Sequence, residues 1–210
     1  MRKFSRPCLL AIVAVAPGLI DCARAEVITF DDLSATAGIS GAYAGFNWLN
    51  FQVLDTSAET ARAGTAYTGY SNSALSGTNV VFNGFGNLAG IASTAPGSSF
   101  ALTSGYFTAA WNDGLNVTAQ GYLNGVLKDT ESFTVSTTGP TLETFNWTAI
   151  DEVTFSPSGG TPHSEEAFGA GTNFALDNLT VNAVPLPAAA WLLLSGLGAL
   201  GALARKRSCL

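Results

Sequence analysis

The sequence predicts an all-β fold, an antiparallel β-sandwich of the jelly-roll kind, and three observations carry that prediction. Short runs rich in β-branched and aromatic residues recur between Gly, Asn, Asp and Pro, at 27–33, 43–54, 79–82, 99–111, 116–123, 132–137, 143–147, 152–156 and 174–182. Apolar residues alternate inside them with a period of two, as in Ile28 and Phe30, in Leu49, Phe51 and Val53, and in Phe100 and Leu102, which gives each strand one core side. No helical period runs through the middle of the chain. The composition agrees, because 47% apolar residues with only 11% charged among 210 excludes both a disordered chain and a coiled coil.

Taken in order, the runs also suggest how they connect. The apolar phase slips at Trp48-Leu49, at Tyr106-Phe107 and after Asp177, and such slips mark bulges or crossings between sheets. Asn112-Asp113-Gly114 is expected to join two adjacent antiparallel strands, and Asn124-Gly125 the next two through a type I′ turn. The first and last strands are expected to pair, in a jelly roll preferred over an immunoglobulin-like sandwich. Segments 56–77 and 157–172 are small, polar or Gly-rich and are expected to be loops at the sandwich ends.

The two ends of the chain differ from its middle. Arg2, Lys3 and Arg6 precede an apolar stretch, and Ala23-Arg24-Ala25 places small residues at the minus-three and minus-one positions, so residues 1–25 read as a secretory signal peptide cut after Ala25. Cys22 raises a lipoprotein signal as the rival, but Asp21 stands where a small residue is wanted. Such a leader makes the Sec translocon and signal peptidase the first partners. At the far end, residues 188–204 carry no charge and are followed by Arg205-Lys206-Arg207. A helix of that length spans about 26 Å, enough to cross a thin bilayer, and the cations hold its end in the cytoplasm. The domain at 26–183 is thereby left outside, as the leader also requires.

Val184-Pro185-Leu186-Pro187-Ala188, the apolar run and the basic triplet together resemble the PEP-CTERM class of sorting signals in its VPLPA variant. The resemblance implies a Gram-negative bacterial protein, exported, transiently anchored in the inner membrane through 188–204, and processed by an exosortase. Its destination would be the cell surface or the extracellular matrix. The two prolines keep the motif extended and open to a protease.

All three cysteines (Cys8, Cys22, Cys209) lie in the end segments, so the domain is held without disulfides. Between 26 and 183 stand two basic residues, Arg62 and Lys128, against fourteen acidic ones, a net charge near −12. That field excludes nucleic acid as a partner and favours divalent cations.

Catalytic chemistry finds little to work with. His163 is the single histidine, with no Gly-x-Ser-x-Gly and no domain cysteine beside it, so it reads as a solvated loop residue. The acid pairs Asp31-Asp32, Asp151-Glu152 and Glu165-Glu166 point to opposite faces if on strands, and nothing selects two acids to flank a glycosidic bond. The expectation is a protein that is not an enzyme, with a polysaccharide hydrolase as a distant alternative.

Phe30-Asp31-Asp32-Leu33 at the start and Phe174-Ala175-Leu176-Asp177-Asn178-Leu179 at the end resemble jelly-roll carbohydrate-binding modules, in which an Asp of the last strand helps hold a structural calcium against the first. The resemblance implies Asp177, with Asp31 and Asp32, as calcium ligands. The alternative is that these acids bond backbone amides in turns. Tyr67 and Tyr70, in a segment without strand periodicity, are the candidates for stacking on a sugar, whereas Trp48 and Trp147 are assigned to the core. The reading is therefore an exported envelope or matrix protein contacting polysaccharide, with a purely structural, calcium-bridged matrix protein as its rival.

Overall fold

The structure, a computed structural model, describes residues 25–35, 38–39, 42–63, 68–163 and 170–183. Its strands run in the order β1 (Ala25–Ile28), β2 (Ala42–Tyr43), β3 (Phe46–Leu49), β4 (Phe51–Asp55), β5 (Asn79–Asn83), β6 (Ala89–Ser93), β7 (Phe100–Ala109), β8 (Asn112–Asp113), β9 (Leu115–Leu123), β10 (Val126–Val135), β11 (Thr141–Ile150), β12 (Glu152–Ser158), β13 (Thr161–Pro162) and β14 (Phe174–Ala183). Among the described residues one α-helix, α1 (Thr56–Ala63), interrupts them.

Two sheets carry the fold, β11-β7-β14-β5-β4 with β1 also on β14, and β10-β9-β12-β6-β3-β2. Eight strands follow a jelly-roll course, with β5-β14-β7-β11 in one sheet and β6-β12-β9-β10 in the other. First and last strands pair as expected, Ile28 opposite Leu179 and Ala25 opposite Asn182. The inner faces meet on an aromatic centre: the Phe107 ring lies 4.9 Å from Phe133, 5.4 Å from Phe155 and 5.9 Å from Phe174. Each buried ring of this kind is worth about 1.5–3 kcal/mol of transfer free energy.

The phase slips mark real features, with one displaced. At Asn50, whose φ is 55°, the chain leaves β3 of the second sheet for β4 of the first, so Leu49 faces out while Phe51 and Val53 face in. Asn178, also left-handed, sits in the register shift of β14 after Asp177. In β7 the buried set changes at Thr103-Ser104 rather than at Tyr106-Phe107. A further pair of shifts in β11, with Asn146 and Ala149 left-handed, keeps Phe145, Trp147 and Ile150 all inward.

The turns divide between success and correction. Asn124 (φ 52°) and Gly125 (φ 73°) close the β9–β10 hairpin as predicted. Asn112-Asp113-Gly114 does not close a hairpin: β7 and β9 lie in different sheets, and the segment carries the chain across the sandwich end.

The described parts of segment 56–77, residues 56–63 and 68–77, hold a helix and a helical turn rather than an end loop. Asp55 caps α1 by accepting the Ser57 hydroxyl (2.5 Å) and the amides of Ser57 (2.9 Å) and Ala58 (3.3 Å), and these bonds, the hydroxyl's first, hold its carboxyl below the ordinary carboxylate range. A single helical turn at Gly69–Asn72 then lies on the outer face of the first sheet, where Tyr70, Val80, Ala110 and Ala175 form a second apolar cluster. A Cβ on Gly69 would stand 1.8 Å from the Ala109 carbonyl oxygen, so this approach requires glycine. The outer face of the first sheet is thus covered around Val80, Ala110 and Ala175, while β11 at its edge stays exposed on that side.

Candidate functional site

Asp177 and Asp31 meet around the loop at 75–79. Asp177, 0% exposed on β14, accepts the amides of Leu75 (2.7 Å) and Ser76 (3.1 Å) on one oxygen and that of Asn178 (2.7 Å) on the other. Asp31 accepts the amides of Thr78 (3.0 Å) and Asn79 (3.2 Å), and the Asn79 side chain donates to the Leu33 carbonyl (2.7 Å). Burial pushes the Asp177 carboxyl up, against the pull of its three amides and with a further push from Asp31. Asp32 stands apart, accepting the Tyr43 hydroxyl at 2.6 Å, and burial followed by this bond raises the Tyr43 phenol.

This arrangement does not fit calcium. The cation needs six to eight oxygens around it, whereas Asp177 turns both of its oxygens, and Asp31 one, to N–H donors. Among the described residues no group of three or more acids, histidines or cysteines is placed to hold a metal ion. The first-to-last pairing expected from the sequence is present, and the amides of 75–79 fill the space between its acids.

Tyr70 is 6% exposed and sets its ring edge-on to Phe82 (5.3 Å) and Trp111 (5.6 Å), so it belongs to the second cluster and offers no face to a ligand. Burial, then the charge of Glu59, raises its phenol. Tyr67 lies outside the described residues, as do Ala23 and the motif at 184–188, while Ala25 opens β1. Trp48 and Trp147 pack on the core as expected.

His163 is anchored rather than solvated. Its Nδ1 lies 2.5 Å from an Asp113 oxygen, and the other Asp113 oxygen accepts the Thr137 amide (2.9 Å) and hydroxyl (2.8 Å). Burial pushes the Asp113 carboxyl up, but the bonds from Thr137 and His163 outweigh it and leave the group below its ordinary value. The cluster pins the β13 segment to the corner at 112–114.

An open concave surface occurs on the bare face of the second sheet. Register aligns Asn47 of β3 with Ala92 of β6 and Glu152 of β12, and Leu49 with Gly90 and Thr154. Alternation turns Trp48, Ile91 and Val153 toward the core, leaving the other residues outside. The small side chains of β6 thereby form a floor between two walls, a trough of ≈ 310 Å³ lined by Asn47, Leu49, Gly90, Ala92 and Glu152. A second hollow of ≈ 260 Å³ continues it past Ala92 and Glu152 to the 95–98 turn, Gly125 and Asp151. Gly90 is fixed by its neighbour, because a Cβ there would lie 2.7 Å from the Val153 carbonyl oxygen.

The trough offers one carboxylate, amides, hydroxyls and an apolar wall. The Glu152 carboxylate has no hydrogen-bond partner among the described residues, whereas that of Asp151 accepts the Asn124 amide at 2.7 Å. Beyond Glu152 the same face continues with Tyr122, whose hydroxyl donates to Gln120 (3.2 Å), and with the hydroxyl pair Thr118 and Ser132 (2.9 Å). Sequence reasoning missed this site because β6, Ala-Gly-Ile-Ala-Ser, is too small and too short to register as a strand.

Among solved structures, the chain is similar to TmCBM61, determined in complex with beta-1,4-galactotriose, at 12% identity and a TM-score of 0.33 over 68% of this chain and 90% of that one. No protein of curated function matches it. Among the described residues no helix is long and apolar enough to cross a membrane; the expected span at 188–204 lies outside them. Residues 183–208 match the model of the PEP-CTERM protein-sorting motif, and this chain therefore carries the signal of an exported protein that is held transiently in the membrane and sorted by an exosortase.

Proposed function

We propose that this is a non-enzymatic protein of the cell surface or extracellular matrix, delivered by its sorting signal, whose sandwich contacts neutral polysaccharide along the trough of the second sheet. The trough itself carries the reading: a shallow, open channel with a small-residue floor, an apolar wall at Leu49 and polar groups at Asn47 and Glu152 suits an extended chain of hydroxylated rings. Charge supports a neutral ligand, since a domain near −12 repels an anionic polymer. Binding is favoured over hydrolysis because two working carboxylates must flank the scissile bond, and of the neighbouring Asp151 and Glu152 the first is already held by Asn124.

Co-sedimentation of the full chain in detergent with insoluble neutral glucan, galactan and mannan tests the proposal. Retention on at least one polymer, lowered about tenfold by Glu152→Ala with no reducing ends released, is the expected result. Equal retention of the wild type and the variant would remove the trough from the account. Release of reducing ends lost in the variant would favour the hydrolase.

A further inference from the structure

Where β5 crosses to β6, the turn Gly84–Gly86 holds Phe85 at φ 56° and ψ 22°, with 88% of its surface exposed. A bulky side chain in the left-handed region is an outlier, and an exposed phenyl ring recovers none of that strain by burial. The turn is nevertheless braced from every side. Asn50 donates its side-chain amide to the Gly84 (3.0 Å) and Leu88 (2.9 Å) carbonyls and accepts the Gly84 amide on its own carbonyl (2.9 Å). Thr172 donates to the Gly86 carbonyl (2.8 Å) and Asn83 to that of Asn87 (2.8 Å). The ring is therefore presented in a fixed place, which lowers the ordering cost of any contact it makes.

Its neighbours lead along the chain toward the trough. Leu88 is 42% exposed and lies two residues before Gly90, while Leu49, 55% exposed and already a wall of the trough, stands opposite Gly90. Asn50, which follows Leu49, bonds the backbone carbonyls of both Gly84 and Leu88, so the chain segments that carry Leu49, Phe85 and Leu88 meet at one corner. No charged residue occurs between Arg62 and Asp113, a stretch that includes β5, this turn and β6. In an otherwise acidic domain this is a neutral, apolar platform.

We propose that Phe85, with Leu88 and Leu49, forms the end subsite of the trough, on which the C–H face of a ring of a neutral, linear polysaccharide stacks. The proposal rests on the polysaccharide reading and adds a chain-length requirement to it. At about 3.4 Å per residue the five residues of β6 alone extend about 17 Å, so trough and platform together cover several sugar units of one chain. A short oligosaccharide occupies the trough without reaching Phe85.

Titration of the full chain in detergent with neutral β-1,4-linked gluco- and galacto-oligosaccharides of graded length, for the wild type, Phe85→Ala and Phe85→Tyr, tests this. The expected result is wild-type affinity that rises with length, about tenfold weaker binding of the longest members by Phe85→Ala, unchanged binding of the shortest, and retention by Phe85→Tyr. Because the ring is exposed, unfolding midpoints of all three proteins should agree closely. Wild-type binding with the same length dependence in Phe85→Ala would overturn the platform and leave the trough standing. A wild type that binds no member, and no neutral polymer in co-sedimentation, would overturn the polysaccharide reading and the platform with it, whereas a wild type retained on a polymer but binding its longest oligosaccharides no better than its shortest would overturn the platform alone. Dimers in sedimentation that vanish in Phe85→Ala, with oligosaccharide binding unchanged, would assign the patch to a second copy of the chain instead.

Discussion

Asp177 and Glu152 are both acids on inner strands, one in each sheet, and they are put to opposite uses. Asp177 on β14 is buried and commits its carboxylate to three backbone amides, so it ties the loop at 75–76 to the last strand, while Asp31 takes the amides of Thr78 and Asn79 from the same loop. Glu152 on β12 faces the bare side of the second sheet, and its carboxylate has no hydrogen-bond partner among the described residues. The difference does not come from the residues, which carry the same group. Covering a face forces its polar atoms to find partners within the protein, and leaving a face open keeps them for a ligand.

The comparison is most exposed at Asp177. Asp177→Ala strands three amides in a buried place and should cost about 4 kcal/mol, lowering the unfolding midpoint by about 10 °C, whereas Glu152→Ala should stay within about 0.5 kcal/mol of the wild type. Calorimetry of both variants would break the contrast if their midpoints matched. Millimolar calcium should leave the wild-type midpoint in place, and a rise that vanishes in Asp177→Ala would restore the metal to the clamp.

A smaller effect is expected at the trough floor. Gly90→Val drives a side chain toward the Val153 carbonyl and should destabilise by about 2 kcal/mol in thermal unfolding. It should also weaken polysaccharide retention. Loss of stability with full retention would show that the floor is structural and the ligand sits elsewhere.

The smallest expected effect is on pH dependence. Asp113 has a folded-state pKa below its unfolded value, so the stability it contributes is present above the ordinary carboxylate range and is lost as pH falls through the depressed value. Asp113→Asn should flatten that acid limb in unfolding measured from neutral to acid pH. An unchanged limb would mean that other acids set it.

What the sequence made legible follows from which signals are local. The sorting motif is a linear pattern and could be read whole. Alternation at Ile28 and Phe30, at Phe51 and Val53 and at Phe100 and Leu102, the slip at Trp48-Leu49 and the Asn124-Gly125 turn could be read because core burial and left-handed turns demand particular residue types. The cover escaped notice because its helix is short and marked chiefly by the Asp55 cap, and Tyr70 was mistaken for a contact residue because its burial comes from β5 and β7, far off in sequence. The trough was the least legible, since a concavity is made where side chains are small, and Gly90 and Ala92 leave no hydrophobic period to detect. Asp31 and Asp177 were rightly brought together, but the amides between them belong to a loop whose position no local pattern encodes.

The most direct test of the account is a map of backbone amide NMR shifts in the full chain as a neutral polysaccharide fragment retained in co-sedimentation is added. The account predicts the largest changes at Asn47, Leu49, Gly90, Ala92 and Glu152, with Leu75, Ser76 and Thr78 unmoved. Changes confined to residues 68–78, or a saturated complex with none in β3, β6 and β12, would contradict it.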